Sequence, residues 1–369
     1  MAATPAPIVI PITLAHAPYA ASVGDGLATV VGSVARDLGL GRKCAVITDS
    51  IVGPLHLAPV LASLDDAGIA ATAVVVPAGE ASKCMAQAEE CCRAMIRAGL
   101  DRKSFVVALG GGVVGDLAGF VASIYYRGIP FLQMPTTIVA QVDSSVGGKT
   151  GVNAPEGKNL IGAFHQPSAV LADTLTLATL PPREFNEGMA EVIKHAAIRD
   201  PGMLDSVLAM DPAARGGLAP LIAANIAIKA RIVEADEKET LGIRALLNFG
   251  HTIGHAIEAE AGYGAMLHGE AIALGLRAAV WLSVTRAGLD RGVAGKVLAA
   301  LAHYDLPMVL PAHFTTAALV AHLARDKKFE DGAVRFVLLR GPGDAYVDAT
   351  ISMDDVNAAI GEIRRPWTD

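Results

Sequence analysis

SFVVALGGGVVGD, residues 104–116, decides the architecture. A short run of apolar, mostly β-branched and aromatic side chains leads into three glycines, and the helical pattern VVGDLAGFVAS follows directly. A buried strand, a tight turn and a helix start in that order are the opening half of a βαβ unit. Gly110, Gly112 and Gly115 fit GxGxxG in this setting. Glycine lets the backbone approach a pyrophosphate, and free N–H groups with the helix dipole favour its charge. The bare pattern also occurs as an ordinary turn, so its flanking strand and helix are what make it a nucleotide-binding candidate. An acidic ribose ligand is expected about twenty residues downstream; FLQMPTT (131–137) has none. Asp49, ending CAVITD, and Glu80, in PAGEASK, are the upstream substitutes.

Working outward, KCAVITD (43–49), ATAVVVPAG (71–79), IPFLQMPTT (129–137) and SAVLAD (168–173) read as further buried strands. Residues 58–67, 82–98 and 114–123 read as helices between them. The alternation predicts an α/β, Rossmann-like domain with a mainly parallel sheet over residues 1–180. After Pro181-Pro182 the texture turns to long Ala/Leu/Ile helical segments. Neither proline continues a preceding helix, so a second, mostly α-helical domain is expected over residues 181–369. VRFVLLR (334–340) is the one strand signal inside it.

The 369 residues exceed one typical core. Hydrophobic residues make up 52% and charged ones 18%, with a mean hydropathy of +0.44, which suits large buried helices. A net charge of -7 and pI near 5.8 argue against nucleic acid as a partner. Cys44, Cys84, Cys91 and Cys92 contain no CxxC pair, so neither a disulfide framework nor a Cys-zinc site is expected, and a reducing cytoplasm fits. No apolar run is long enough to cross a membrane, and MAATPAPIVI lacks the basic and apolar regions of a signal peptide.

Three clusters carry candidate chemistry. In LLNFGHTIGHAIEAEAGYGAMLHGEA (246–271), His251 and His255 lie four apart on one helical face, and His268 opens a second helix. Packed helices carry HxxxH by chance, yet neutral imidazoles plus a carboxylate from another element are what a buried divalent metal needs. Glu191 and Lys194, in GMAEVIKHAAI, are either a surface i,i+3 ion pair or the source of that carboxylate. His195 reads as a packing histidine. Arg244 and Asn248 share the face of His251 if its helix extends back. TTIVAQVDSSVGGKTGVNAPEGKNLIG (136–162) is either a solvated loop or an anion clamp built on Lys149 and Lys158. DKK (326–328) reads as a solvated turn or as part of that chemistry.

Taken together, PAGEASK, GGGVVGD, YYRGIPFLQMPTT, QVDSSVGGKTGVNAPEGKNLIGAFHQP, EFNEGMAEVIKHAAI, LLNFGHTIGHAIE, LHGEA and ARDKK resemble the 3-dehydroquinate synthases, in that family's order and over nearly the whole chain. The resemblance implies zinc ligands at Glu191, His251 and His268, with cobalt as an alternative ion. It implies an NAD site at Asp49, Glu80, Lys83, Gly112, Val113, Asp116, Thr136, Thr137, Asp143, Lys149, Lys158, Thr176 and Thr179. It implies a pocket for a phosphorylated sugar acid at Lys149, Asn159, Lys194, Arg244, Asn248, His255 and Lys327. Arg127 is similar to an arginine that the family contributes across a homodimer interface. The implied reaction is a redox-neutral cyclisation with loss of phosphate. A metal-dependent alcohol or glycerol dehydrogenase, a sister cyclase and a catalytically silent NAD-binding protein are the competing readings; they differ in whether NADH accumulates, phosphate is released or zinc is held.

Overall fold

The computed structural model describes residues 5–262, 264–323, 329–330 and 333–367. It divides into two compact units, residues 1–181 with 215–238, and residues 182–214 with 239–369.

In the first unit the chain runs β1 (Ile8–Ile12), β2 (Tyr19–Gly24), α1 (Val31–Asp37), β3 (Lys43–Asp49), α2 (Val52–Asp66), β4 (Ala70–Val76), α3 (Met85–Arg97), β5 (Phe105–Gly110), α4 (Gly112–Ile124), β6 (Phe131–Pro135), β7 (Lys149–Ala154), β8 (Gly157–Phe164) and β9 (Ala169–Asp173). Seven strands form one sheet in the order β1-β2-β9-β6-β5-β3-β4. Every pairing is parallel except β1 with β2. Apolar side chains cover both faces: Ile47, Val106 and Ala108 join one core with α3 and α4, while Val46, Val107 and Leu132 join another with α1 and α2. That two-sided burial is why these strands read as continuous apolar runs.

Local chemistry moves several expected boundaries. α2 starts six residues before Ala58, and Asp49 Oδ1 accepts the N–H groups of Ile51 and Val52 at its start, each at 2.8 Å. The stretch expected as a glycine-rich loop or clamp contains a π-helical turn, Ala140–Ser144, followed by the antiparallel hairpin β7–β8.

The second unit holds α5 (Pro182–Arg199), α6 (Gly202–Ala209), α8 (His251–Ala261), α9 (His268–Ala287), α10 (Arg291–His303), α11 (Thr316–Leu323) and α12 (Met353–Glu362), and α7 (Ala219–Ala235) is the helix between α6 and α8 in sequence. The expected cut near residue 180 therefore needs a correction. α7 belongs to the first unit, where it packs on β1, β2 and the π-helical turn, and Glu234 on it accepts the Thr13 N–H at 2.5 Å. A single cut in sequence cannot register a helix that returns to an earlier sheet. The strand signal near 334–340 is β12 (Phe336–Gly341), which follows β10 (Phe329–Glu330) and β11 (Ala333–Val334) and pairs with β13 (Asp344–Asp348). No helix among the described residues is long and apolar enough to cross a membrane.

Candidate metal centre and glycine-rich turn

Within the second unit, α5 carries Glu191, α8 carries His251 and His255, and α9 begins with His268. Glycines set how closely these helices approach. A β-carbon on Gly275 of α9 would lie 1.9 Å from the Gly250 carbonyl oxygen, and one on Gly269 would lie 1.8 Å from the Glu187 carbonyl oxygen. Backbone therefore meets backbone at the residue after His268 and again at Gly275, further along α9. The ring centroids of His251 lie 5.1 Å from His255 and 5.5 Å from His268.

Two imidazoles converge on one carboxylate oxygen. Glu191 Oε1 lies 3.4 Å from His251 Nε2 and 3.3 Å from His268 Nε2. The other nitrogen of each ring has its own acceptor: His251 Nδ1 bonds the Phe249 carbonyl at 3.1 Å, and His268 Nδ1 bonds Glu258 Oε2 at 3.1 Å. His251 Nε2 is thus left with a lone pair facing a carboxylate, an arrangement that a cation between them resolves. One atom from each of the three residues lies within 4.8 Å of the others. Two imidazole nitrogens and one buried carboxylate fit a divalent ion with an open position.

Lys194 pairs with the second oxygen of Glu191, and both side chains are buried, at 1% and 0% exposure. The alternative of a surface ion pair is thereby overturned. Burial alone would raise the Glu191 carboxyl, but Lys194 and the two histidines hold it well below the usual carboxylate range. Burial and Lys194 hold His251 well below its ordinary 6.5. Burial works against protonating His268, yet its hydrogen bonds to Glu191 and Glu258 push it up to about 10.

These opposite shifts make a pH prediction for the metal-free protein. A raised histidine adds stability that is complete below 6.5 and is lost as pH climbs through about 10. A depressed histidine adds stability present above 6.5 and lost as pH falls through its lowered value. The urea midpoint of chelator-treated protein is expected to fall as pH rises from 6.5 toward about 10, and bound metal should flatten this alkaline arm by occupying Nε2. An alkaline arm already flat without metal would contradict this account.

The rest of this unit's candidates divide. His195 is fully buried, and Arg244 is 2% exposed with Glu239 at 3.5 Å. Arg244 and Asn248 do not continue the His251 helix. They lie in a separate 3-10 turn, Arg244–Asn248, cut off by Gly250 at φ 78, a left-handed conformation that stops α8 from extending back. Lys327 lies outside the described residues.

In the first unit, β5 passes through Gly111 into α4, whose N-terminus has no side-chain cap. β-carbons on Gly111 and Gly112 would stand 3.1 Å from Thr137 Cγ2 and 3.2 Å from Ser144 Oγ, so side chains at these positions would crowd the turn. Val113 follows on α4, and Gly115 packs against Gln133 of β6. Thr136 donates its N–H to the Gly110 carbonyl at 3.0 Å, while its buried hydroxyl has no hydrogen-bond partner. Uncapped N–H groups beside an orphaned hydroxyl fit an anionic ligand such as a pyrophosphate.

Around the turn, Lys83 Nζ pairs with Asp116 Oδ2 at 2.5 Å. Burial raises the Asp116 carboxyl, against the pull of Lys83. Glu80 accepts from Asn153 Nδ2 at 2.8 Å and stands 4.0 Å from Lys158. Thr179 bonds His56 at 2.8 Å, and Thr176 donates to the Asp173 carbonyl at 2.7 Å. Lys149 opens β7, and Asn159, at φ 56, bonds its N–H to Asn153 Oδ1 at 2.9 Å. Arg127 is exposed at φ 70.

Three residues of these clusters escaped the sequence reading. Lys229, buried on α7, holds Asp143 Oδ1 at 2.7 Å; its signal was a lysine inside the apolar run IAIKARIV. Glu187 accepts the Gly269 N–H at 2.7 Å and is pushed up to about 7 by burial; it sits one helical turn before Glu191. Glu258 follows His251 and His255 at positions i+7 and i+3, a spacing visible in HTIGHAIE.

The family profile described as 3-dehydroquinate synthase N-terminal matches residues 73–187, and its C-terminal counterpart matches residues 188–329. The chain belongs to the 3-dehydroquinate synthase family. The glycine-rich turn falls in the N-terminal match, and Glu191, His251 and His268 fall in the C-terminal match. A 3-dehydroquinate synthase from Geobacter metallireducens is 49% identical over 88% of this chain and 91% of its own. One from Symbiobacterium thermophilum is 47% identical over 94% and 98%. Among solved structures, the 2-epi-5-epi-valiolone synthase of Streptomyces hygroscopicus subsp. jinggangensis 5008, with NAD+ and Zn2+ bound, superposes with a TM-score of 0.86 at 30% identity, covering 95% of this chain and 98% of that one.

Proposed function

We propose that this chain converts 3-deoxy-D-arabino-heptulosonate 7-phosphate to 3-dehydroquinate and phosphate, the second step of the shikimate pathway, with NAD and zinc as cofactors and cobalt as an alternative ion. The observation that carries the reading is the convergence of His251 and His268 on Glu191 Oε1 in a chain of this family. A divalent ion held by these three residues supplies Lewis acidity toward substrate hydroxyls. NAD would supply reversible hydride transfer, which suits a reaction with no net redox change.

The protein's own work is positioning and charge stabilisation. Asp49, Glu80, Lys83, Gly112, Val113, Asp116, Thr136, Thr137, Asp143, Lys158, Thr176 and Thr179 are assigned to NAD. The orphaned Thr136 hydroxyl and the glycine-rich turn support that assignment. Lys149, shared with that set, and Asn159, Arg244 and Lys327 are assigned to the phosphorylated end of the substrate. The departing phosphate takes the C6 proton while these groups hold its charge. Lys194 and Asn248 orient the substrate, and His255 moves protons to and from its oxygens. The reading extends to a cytoplasmic homodimer in which Arg127 reaches the partner subunit's site. Free thiols at all four cysteines are consistent with a reducing compartment.

The test mixes zinc-loaded protein with the heptulosonate phosphate and substoichiometric NAD+, following phosphate and NADH together. Many phosphates per NAD without steady NADH is the expected result. Rising NADH without phosphate would mark a dehydrogenase, and inertness toward this substrate would leave a sister cyclase or a silent protein. In the same assay His255→Ala should lose turnover and change its pH profile while keeping its metal; an unchanged profile would remove His255 from proton transfer.

A further inference from the structure

We infer that Glu258 is a positioning residue for the metal centre, fixing the orientation of His268 and the nitrogen it presents; this rests on the metal reading above. A histidine that binds a metal through Nε2 must place its Nδ1–H on an acceptor, and that acceptor sets both the ring plane and the donor strength of Nε2. The two histidines solve this differently. His251 uses the Phe249 carbonyl at 3.1 Å, in the turn that leads into its own helix. His268 is the first residue of α9, and its Nδ1 instead meets a side chain, Glu258 Oε2 at 3.1 Å, from α8.

His251, His255 and Glu258 follow one another at i, i+4 and i+7, so one face of α8 provides a ligand, a second histidine and the carboxylate that aims the third. The Glu258 side chain is 12% exposed, so water competes weakly for the bond. His268 lies between two carboxylates, 3.3 Å from Glu191 and 3.1 Å from Glu258. A charged acceptor on the outer nitrogen makes the inner one a stronger donor than a carbonyl does. The Nδ1 side of His268 is therefore held by a side chain, where that of His251 is held by backbone.

The experiment measures zinc affinity by competition with a chelator for the parent, Glu258→Gln, Glu258→Ala and the control Glu260→Gln. Glu260 lies on the same helix, pairs with His322 at 3.0 Å and is in none of the groups of side chains close enough together to hold a metal. Glutamine keeps an acceptor without the charge, whereas alanine removes both. Affinity should fall in the order parent, glutamine, alanine, by about 10- to 100-fold for the weakest, with Glu260→Gln like the parent. The Co2+ ligand-field spectrum should shift in the same order, which a loss of general stability would not produce. If alanine fails to fold, the glutamine variant decides the matter alone. Both variants within about twofold of the parent, or Glu260→Gln equally weak, would overturn the inference while leaving the metal centre in place. A parent that binds no zinc would overturn the metal reading and the inference with it.

Discussion

Replacing Glu191 by glutamine is expected to abolish metal binding and turnover and to destabilise the second unit by roughly 3–5 kcal/mol. Glutamine has nearly the same shape, so packing is not the cause. The carboxylate is fully buried, meets His251 and His268 through one oxygen and pairs with Lys194 through the other. Removing its charge takes away the anionic ligand and the carboxylate that pairs with the Lys194 ammonium, which is 1% exposed. Dialysed protein should contain no bound metal, urea unfolding should shift to lower concentration, and added NAD should not restore activity. Removing both charges, Glu191→Leu with Lys194→Met, should recover most of the stability and none of the metal, because replacing a whole buried ion pair by apolar groups is often neutral. A glutamine variant that keeps stoichiometric metal would sink the proposed ligand set.

Gly275→Ala is the second large effect. The added methyl would stand 1.9 Å from the Gly250 carbonyl oxygen and 2.7 Å from the Gly254 nitrogen. Both neighbours are backbone, so no side chain can swing aside, and α8 must move with His251 and His255 on it. Overpacking in cores ordinarily destabilises by about 1–3 kcal/mol, and a backbone clash belongs at or above the top of that range. Weaker metal binding should accompany the loss of stability, since the displaced helix carries a ligand. Gly295→Ala makes the opposite control. It lies in α10 with nothing within 4 Å of the added carbon, and alanine should stabilise the helix by up to about 1 kcal/mol. Thermal unfolding of the two variants beside the parent checks the sign of each. A Gly275→Ala protein as stable as the parent would show that the close crossing is not what holds the histidines.

Much of this was legible in one dimension. The parallel sheet could be read because strands buried on both faces become unbroken apolar runs, as in FVVALG, and because glycines mark the passage into α4. The histidines at 251 and 255 declared a shared face through helical period alone. Other features were hidden because their cause lies elsewhere in the chain. The hairpin β7–β8 looked like a loop, since its glycines and charges mask the alternation that usually marks a strand. Lys194 read equally well as a surface partner until α5 was seen to be buried around it.

Residue identity and short spacing thus determined the strand–glycine–helix turn, the His251–His255 face and the chemical types a metal would require. Tertiary structure alone decided that α7 returns to the first sheet, that Gly250 breaks the helix before Asn248 can join it, and that Glu191, His251 and His268 meet at one oxygen atom. The physical reason is range. Propensity and periodicity act over a few residues, whereas Glu191 and His268 are brought together by α9 pressing bare backbone at Gly269 and Gly275 onto α5 and α8.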